Sequence, residues 1–139
     1  MMPFSIDQVW SVLADSKEYP NWYPSSVTVR VMVESAALVG TTFEIRPRGG
    51  RAFRCEVTGA DAPRLMRMRY PGDFIVGTGE WRLEPHQDGG SRVTYSIDAV
   101  ANGWLAVILG RILSFADLHS RAMREILDAL EQETARRNR

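Results

Sequence analysis

The sequence predicts an α+β domain: a curved antiparallel sheet of six strands followed by one long helix, with a short helix and a turn in front. Three observations carry this. Between Val27 and Ala101 apolar and polar residues alternate in short runs, the pattern of strands with one wet face. The links between the runs are brief, which favours hairpins over crossovers. Apolar residues at helical spacing are confined to the two ends of the chain, and strands followed by a segregated helix define the α+β class.

The first element is an amphipathic helix from Ile6 to about Glu18, where Ile6, Val9, Trp10, Val12, Leu13 and Ala14 share a face and Ser5 can cap the start. The chain then passes through YPNWYP, Tyr19 to Pro24. Each proline biases its predecessor away from helical angles, leaving room for a turn or one helical loop. The six strand runs are Val27–Glu34, Thr41–Arg48, Ala52–Ala60, Arg64–Tyr70, Phe74–Glu84 and Ser91–Ala101. Gly40, Gly49–Gly50, Asp61–Pro63, Pro71–Gly72–Asp73 and Asp88–Gly89–Gly90 punctuate them. From about Trp104 to Arg136 one long helix carries Leu105, Ile108, Leu109, Ile112, Phe115, Met123, Ile126, Leu127 and Leu130 on its apolar face, with Gly110 as a point of bending. About 30 residues at 1.5 Å each reach roughly 45 Å, enough to cross the sheet.

At 139 residues the chain is one domain, residues 1–139, with one core. Acidic and basic residues balance at 17 each, so no net field draws it to nucleic acid or an anionic membrane. Lys17 is the only lysine, an arginine preference given no functional weight. Cys55 stands alone, which excludes an intrachain disulfide and suits a reducing compartment; the expected location is the cytoplasm. MMPFSIDQVW has neither the basic run nor the apolar length of a signal peptide. The most apolar stretch, Gly103 to Ala116, is broken by Arg111 and falls short of the ~20 residues that cross a bilayer.

Strand alternation sorts the two faces of the sheet. Met66, Met68 and Tyr70 must point opposite to Arg67 and Arg69, and the arginines take the water side. The same argument puts Phe43, Ile45, Phe53, Cys55, Val57, Trp81, Leu83, Val93, Tyr95 and Ile97 inside, leaving a ladder of Glu and Arg outside. Each such exposed pair contributes a few tenths to about 1 kcal/mol, so the ladder reads as a solvated face. Gly77 and Gly79 fall on the inner face beside Trp81; glycine within a strand marks a bend or a close approach. One helix does not fill the concave side of six strands. The remaining space is a candidate pocket, apolar with a few polar tips: the Tyr70 and Tyr95 hydroxyls, the Trp81 indole and His119.

Several strings, in this order, resemble one family: IDQVWSVLADSKEYPNWYPSSVTVRV, VGTTFEI and GTGEWRLEPHQDGGSRVTYSI, then the closing helix. The chain from about Ile6 to Glu131 is similar to the START-related helix-grip superfamily (SRPBCC), of the polyketide cyclase/dehydrase and lipid-transport type. The resemblance implies a sheet gripping the C-terminal helix around a cavity for a hydrophobic small molecule. Trp22 and Tyr23 would then plug one end of that cavity, with Pro20 and Pro24 holding the turn; Trp22 reads equally as a core plug. The family usually has a strand before its first helix. Here the helix starts within about five residues of Met1, so either the start is truncated or the sheet has six strands and an open gap. Such a gap leaves unpaired edges and favours self-association.

The expected ligand-contacting set is Trp22, Tyr23, Phe43, Phe53, Met66, Met68, Tyr70, Trp81, Tyr95, Phe115, His119 and Met123. Family members differ in their catalytic residues, and no motif here matches one. His119, Tyr95 and Tyr70 are the weak candidates for moving a proton, since none shows an oriented partner in the sequence. Arg111, Asp98, Asp117 and His86 read as surface residues. His86, His119 and Cys55 lie on unrelated elements, so no metal site is expected, and no Gly-rich phosphate loop implies a nucleotide cofactor. Three functions are expected, in order: a carrier of a lipid, polyketide or isoprenoid-like molecule; a cyclase or dehydratase using the same cavity; and a protein docking Trp104–Ala116 onto a membrane or partner. The expected partners are a hydrophobic small molecule and, at most, a second copy of the chain, monomer or homodimer, with no nucleic acid and no stable membrane insertion.

Overall fold

The computed structural model describes residues 1–72, 75–101 and 115–139. Helix α1, Ile6–Ala14, starts on a capping box: the Ser5 hydroxyl accepts from the Gln8 amide at 3.2 Å, and the Gln8 side chain accepts from the Ser5 amide at 2.9 Å. It ends four residues before the expected Glu18, because Asp15 leaves helical angles (φ −86°, ψ 67°) and a single 3₁₀ turn, Ser16–Glu18, follows. Helix α2, Tyr19–Trp22, is the one helical loop that YPNWYP allows. Tyr19 is helical although Pro20 follows it, contrary to the usual bias. The proline falls in the first turn, where its missing N–H costs nothing. Tyr23, before Pro24, is extended as expected (ψ 147°).

Six strands follow: β1 Val27–Val33, β2 Thr42–Pro47, β3 Phe53–Asp61, β4 Leu65–Pro71, β5 Ile75–Pro85 and β6 Ser91–Ala101. They form one antiparallel meander in sequence order. Each boundary lies within about one residue of its run. Bulges interrupt the register between Val31 and Val33 and between Val57 and Gly59. Helix α3, Phe115–Arg137, closes the chain. The proposed start of this helix, Trp104 with Leu105, Ile108, Leu109, Gly110, Arg111 and Ile112, lies outside the described residues.

Helix α1 packs on α3 and β5, and α2 packs on β1 and α3. The core is the set that alternation selects: Phe43, Ile45, Cys55, Val57, Met66, Met68, Tyr70, Trp81, Leu83 and Tyr95 are buried, with Ile126 and Leu130 of α3 and Val9, Val12 and Leu13 of α1. The outer face carries the charge ladder, with Arg30–Glu44 at 3.3 Å, Arg69–Glu56 at 2.8 Å and Arg82–Glu80 at 3.2 Å. Helix α3 is tied down at its far end, where Arg137 meets Asp15 at 3.1 Å and the buried Glu133 carboxylate holds Arg136 and Arg137. Glu125 of α3 accepts a hydrogen bond from Ser26.

The expected gap before the first helix is not wholly empty. Met2 forms a one-residue antiparallel bridge to Ser91 on the outer edge of β6, through two hydrogen bonds of 2.8 and 2.9 Å. Gly90 permits it, since a Cβ there would sit 2.6 Å from the Met2 carbonyl oxygen. The sheet therefore has six strands and the stub of another.

Candidate functional site

Polar groups converge on the inner face of the sheet in one place. Tyr70 near the end of β4 and Tyr95 in the middle of β6 flank β5, opposite Gly77 and Trp81 respectively. Their hydroxyls meet at 3.2 Å. Cys55, inward on β3, is an electrostatic neighbour of this pair. Burial pushes both phenols well above their usual range, and it pushes the Cys55 thiol up to about 12. At neutral pH all three are uncharged. The two hydroxyls orient each other by hydrogen bonding, and none of the three groups is a ready base.

Gly79 answers the question of what approaches the inward glycines. A Cβ there would lie 2.8 Å from the Tyr70 hydroxyl and 3.2 Å from its ring. The space belongs to Tyr70, so this glycine seats a protein side chain.

Helix α2 brings a second aromatic group to the same face. Tyr19 stacks on Phe43 at 4.9 Å, meets Trp22 edge-on at 5.3 Å, and donates its hydroxyl to the Leu13 carbonyl. Tyr23 lies against Tyr19 at 5.4 Å and Trp22 at 4.6 Å. Burial raises the Tyr23 phenol well above its usual range, and its first electrostatic neighbour is Tyr95. Through the Tyr19–Phe43 stack the α2 aromatics join the inner face that carries the two sheet hydroxyls. Around it Val31, Phe53, Ile97 and Met123 remain half-buried, while the layer beneath, with Met66 and Trp81, is closed. Phe53 contacts Tyr70 at 5.7 Å and Trp81 contacts Tyr95 at 4.2 Å. Trp22 is 7% exposed, and its indole N–H has no hydrogen-bond partner among the described residues.

Of the expected set, Trp22, Tyr23, Phe43, Phe53, Met66, Met68, Tyr70, Trp81 and Tyr95 all lie on this face or in the α2 cluster, and Met123 of α3 packs, partly buried, against the same core. Phe115 and His119 fall on the first turns of α3, but their side chains lie outside the described residues. Tyr19 and Cys55 were missed as members of the cluster. The density of aromatics in YPNWYP was a signal for the first; nothing in the sequence pointed to the second beyond its inward register. Among the described residues no group of His, Cys, Asp and Glu could hold a metal ion, and no helix is long and apolar enough to cross a membrane.

Two open depressions lie elsewhere. One of about 340 Å³ is on the outer face between Arg67, Thr78, Glu80, Ser96 and Asp98; the other, of about 240 Å³, is at the β6 edge between Met2, Val93, Leu127 and the charged Arg124, Asp128 and Glu131. Neither includes the converging hydroxyls, and each sets three charged side chains among neutral and apolar ones, so the inner face is the better candidate site.

A curved antiparallel sheet closed by a C-terminal helix, with an aromatic turn at one end, defines a helix-grip protein. The chain belongs to the family described as polyketide cyclase/dehydrase and lipid transport, whose pattern matches residues 2–134. Among solved structures it is similar to the protein TTHA0849 of Thermus thermophilus, with a TM-score of 0.79 at 18% identity, covering 99% of this chain and 94% of that one. The ZhuI aromatase/cyclase of Streptomyces sp. R1128 gives 0.67 at 20% identity over 99% and 91%. A Thalictrum norcoclaurine synthase point mutant, solved with a transition-state analogue, gives 0.71 at 14% identity over 99% and 91%. At these identities the likeness is one of fold. No curated protein matches the chain.

Proposed function

We propose that the protein binds a hydrophobic small molecule between the inner face of the sheet and α3, against the cluster formed by Tyr23, Tyr70, Tyr95 and Phe53. The observation that carries this reading is the incomplete burial of Val31, Phe53, Ile97, Tyr23 and Met123 around hydroxyls held inside an apolar face. A finished core would close over such residues; a binding surface leaves them open and supplies a few fixed polar groups. Family membership supports it, since ring formation in polyketides and carriage of lipids both require a site for a largely apolar molecule. The uncharged state of Tyr70, Tyr95 and Cys55 favours binding over proton abstraction by these groups. The ligand class is lipid, polyketide or isoprenoid-like.

Titration of the labelled protein with 2-acetonaphthone, followed by the methyl resonances of Met68 and Met123 and the ring resonances of Phe53 and Tyr95, tests this. Saturable shifts confined to these residues are expected. Shifts confined to the β6-edge depression, around Met2 and Leu127, would overturn the assignment of the site.

A further inference from the structure

Trp22 poses a chemical question that packing does not answer. Its ring is a well-fitted plug against Tyr19 and Tyr23, yet its N–H is buried and bonded to no described residue. A buried donor without an acceptor is expensive, and native interiors leave few of them. Phenylalanine would fill an apolar seat without that cost. The neighbouring hydroxyls could accept, but none of them does: Tyr19 donates to the Leu13 carbonyl, Tyr70 and Tyr95 meet each other, and the indole N–H bonds to none of the three. Trp22 and Tyr23 belong to the aromatic group that α2 lays against the inner face of the sheet.

We propose that the Trp22 indole N–H is a hydrogen-bond donor to the bound molecule, and that it makes the site select ligands carrying an acceptor oxygen, a carbonyl or ether, at their α2 end over hydrocarbons of the same shape. The inference rests on the ligand-binding reading above and adds the polarity of the ligand at one end. Discrimination arises because a hydrocarbon leaves the donor unpaired in a closed site, whereas an acceptor satisfies it. Trp22 then sets specificity while the tyrosine pair and the apolar side chains supply the surface.

The test compares 2-acetonaphthone with 2-ethylnaphthalene, which keeps the shape and replaces the carbonyl by methylene. Affinities are measured for the wild type and for Trp22→Phe, which keeps an aromatic plug and removes the donor. The ketone-to-hydrocarbon affinity ratio is expected to fall about tenfold in the variant, the size expected for loss of one buried hydrogen bond. In the wild type, the sequentially assigned Trp22 indole proton should move downfield with the ketone and not with the hydrocarbon; this readout stands alone if the variant does not fold. An unchanged ratio, or an indole proton indifferent to bound ketone, would overturn the inference and leave the binding site intact. Binding of neither probe would overturn the ligand-binding reading, and this inference with it.

Discussion

The hydroxyl of Tyr70 stands 3.2 Å from that of Tyr95, across β5, and each is the other's hydrogen-bond partner among the described residues. The two tyrosines differ in burial, Tyr70 being 1% exposed and Tyr95 9%. Tyr70→Phe strands the Tyr95 hydroxyl and should cost about 1–3 kcal/mol, the penalty for stranding a buried polar group. Tyr95→Phe strands the Tyr70 hydroxyl, the more deeply buried of the two, and should cost at least as much. Urea unfolding of the two single variants and the double variant reads the order directly, and the double variant should cost less than the sum.

Gly79 should not tolerate alanine. Its Cβ would meet the Tyr70 hydroxyl at 2.8 Å and push that ring away from Tyr95. Overpacking of this kind costs about 1–3 kcal/mol. In a Tyr70→Phe background the oxygen clash is gone, so the alanine should then cost less, although the ring contact at 3.2 Å persists. Thermal melts of the four proteins give the coupling.

Alkali should destabilise the protein through its buried thiol. Cys55 rises from 9.0 to about 12 on folding, chiefly through burial. The folded state thus holds this proton more tightly than the unfolded chain does. The resulting stability is complete below the unfolded value and is lost as pH climbs from about 9 toward 12. The buried tyrosines act with the same sign at higher pH. Unfolding midpoints measured upward from about pH 8 should fall, and less steeply in Cys55→Ala. The native thiol should also resist alkylation near neutral pH, since only the thiolate reacts.

The acid limb has a different owner. Hydrogen bonding from Arg136 holds the Glu133 carboxyl below its usual 4.5, so its stabilisation is present above the unfolded value and lost as pH falls through the lowered folded one. Glu133→Gln should flatten the decline in melting temperature below about pH 5. Arg137→Ala, which also frees Asp15 at the end of α1, should cost about 1–2 kcal/mol at neutral pH.

Alternation made the sheet and its inner face legible. The inward register of Met66, Met68 and Tyr70 against outward Arg67 and Arg69 follows from period two alone, and the burial of the first three agrees. The capping box at Ser5 and Gln8 extends the cap that Ser5 announced. What the sequence hid depends on contacts between distant residues. The Tyr70–Tyr95 bond needs the register of both with β5, and the Arg137–Asp15 pair spans 122 positions. Gly79 announced a bend or a close approach but not what approaches, because its occupant, Tyr70, lies on the neighbouring strand. The Met2 bridge escaped notice because a single bridged residue leaves no periodic trace.

The most direct test of a ligand-binding interior is native mass spectrometry of the freshly purified protein, with organic extraction of whatever accompanies it. The account predicts a complex one small molecule heavier than the 15.7 kDa chain, and an extract containing a largely apolar compound that returns to the stripped protein with the same stoichiometry. A bare chain mass, together with no uptake of lipid, polyketide-like or isoprenoid compounds by the protein, would contradict it.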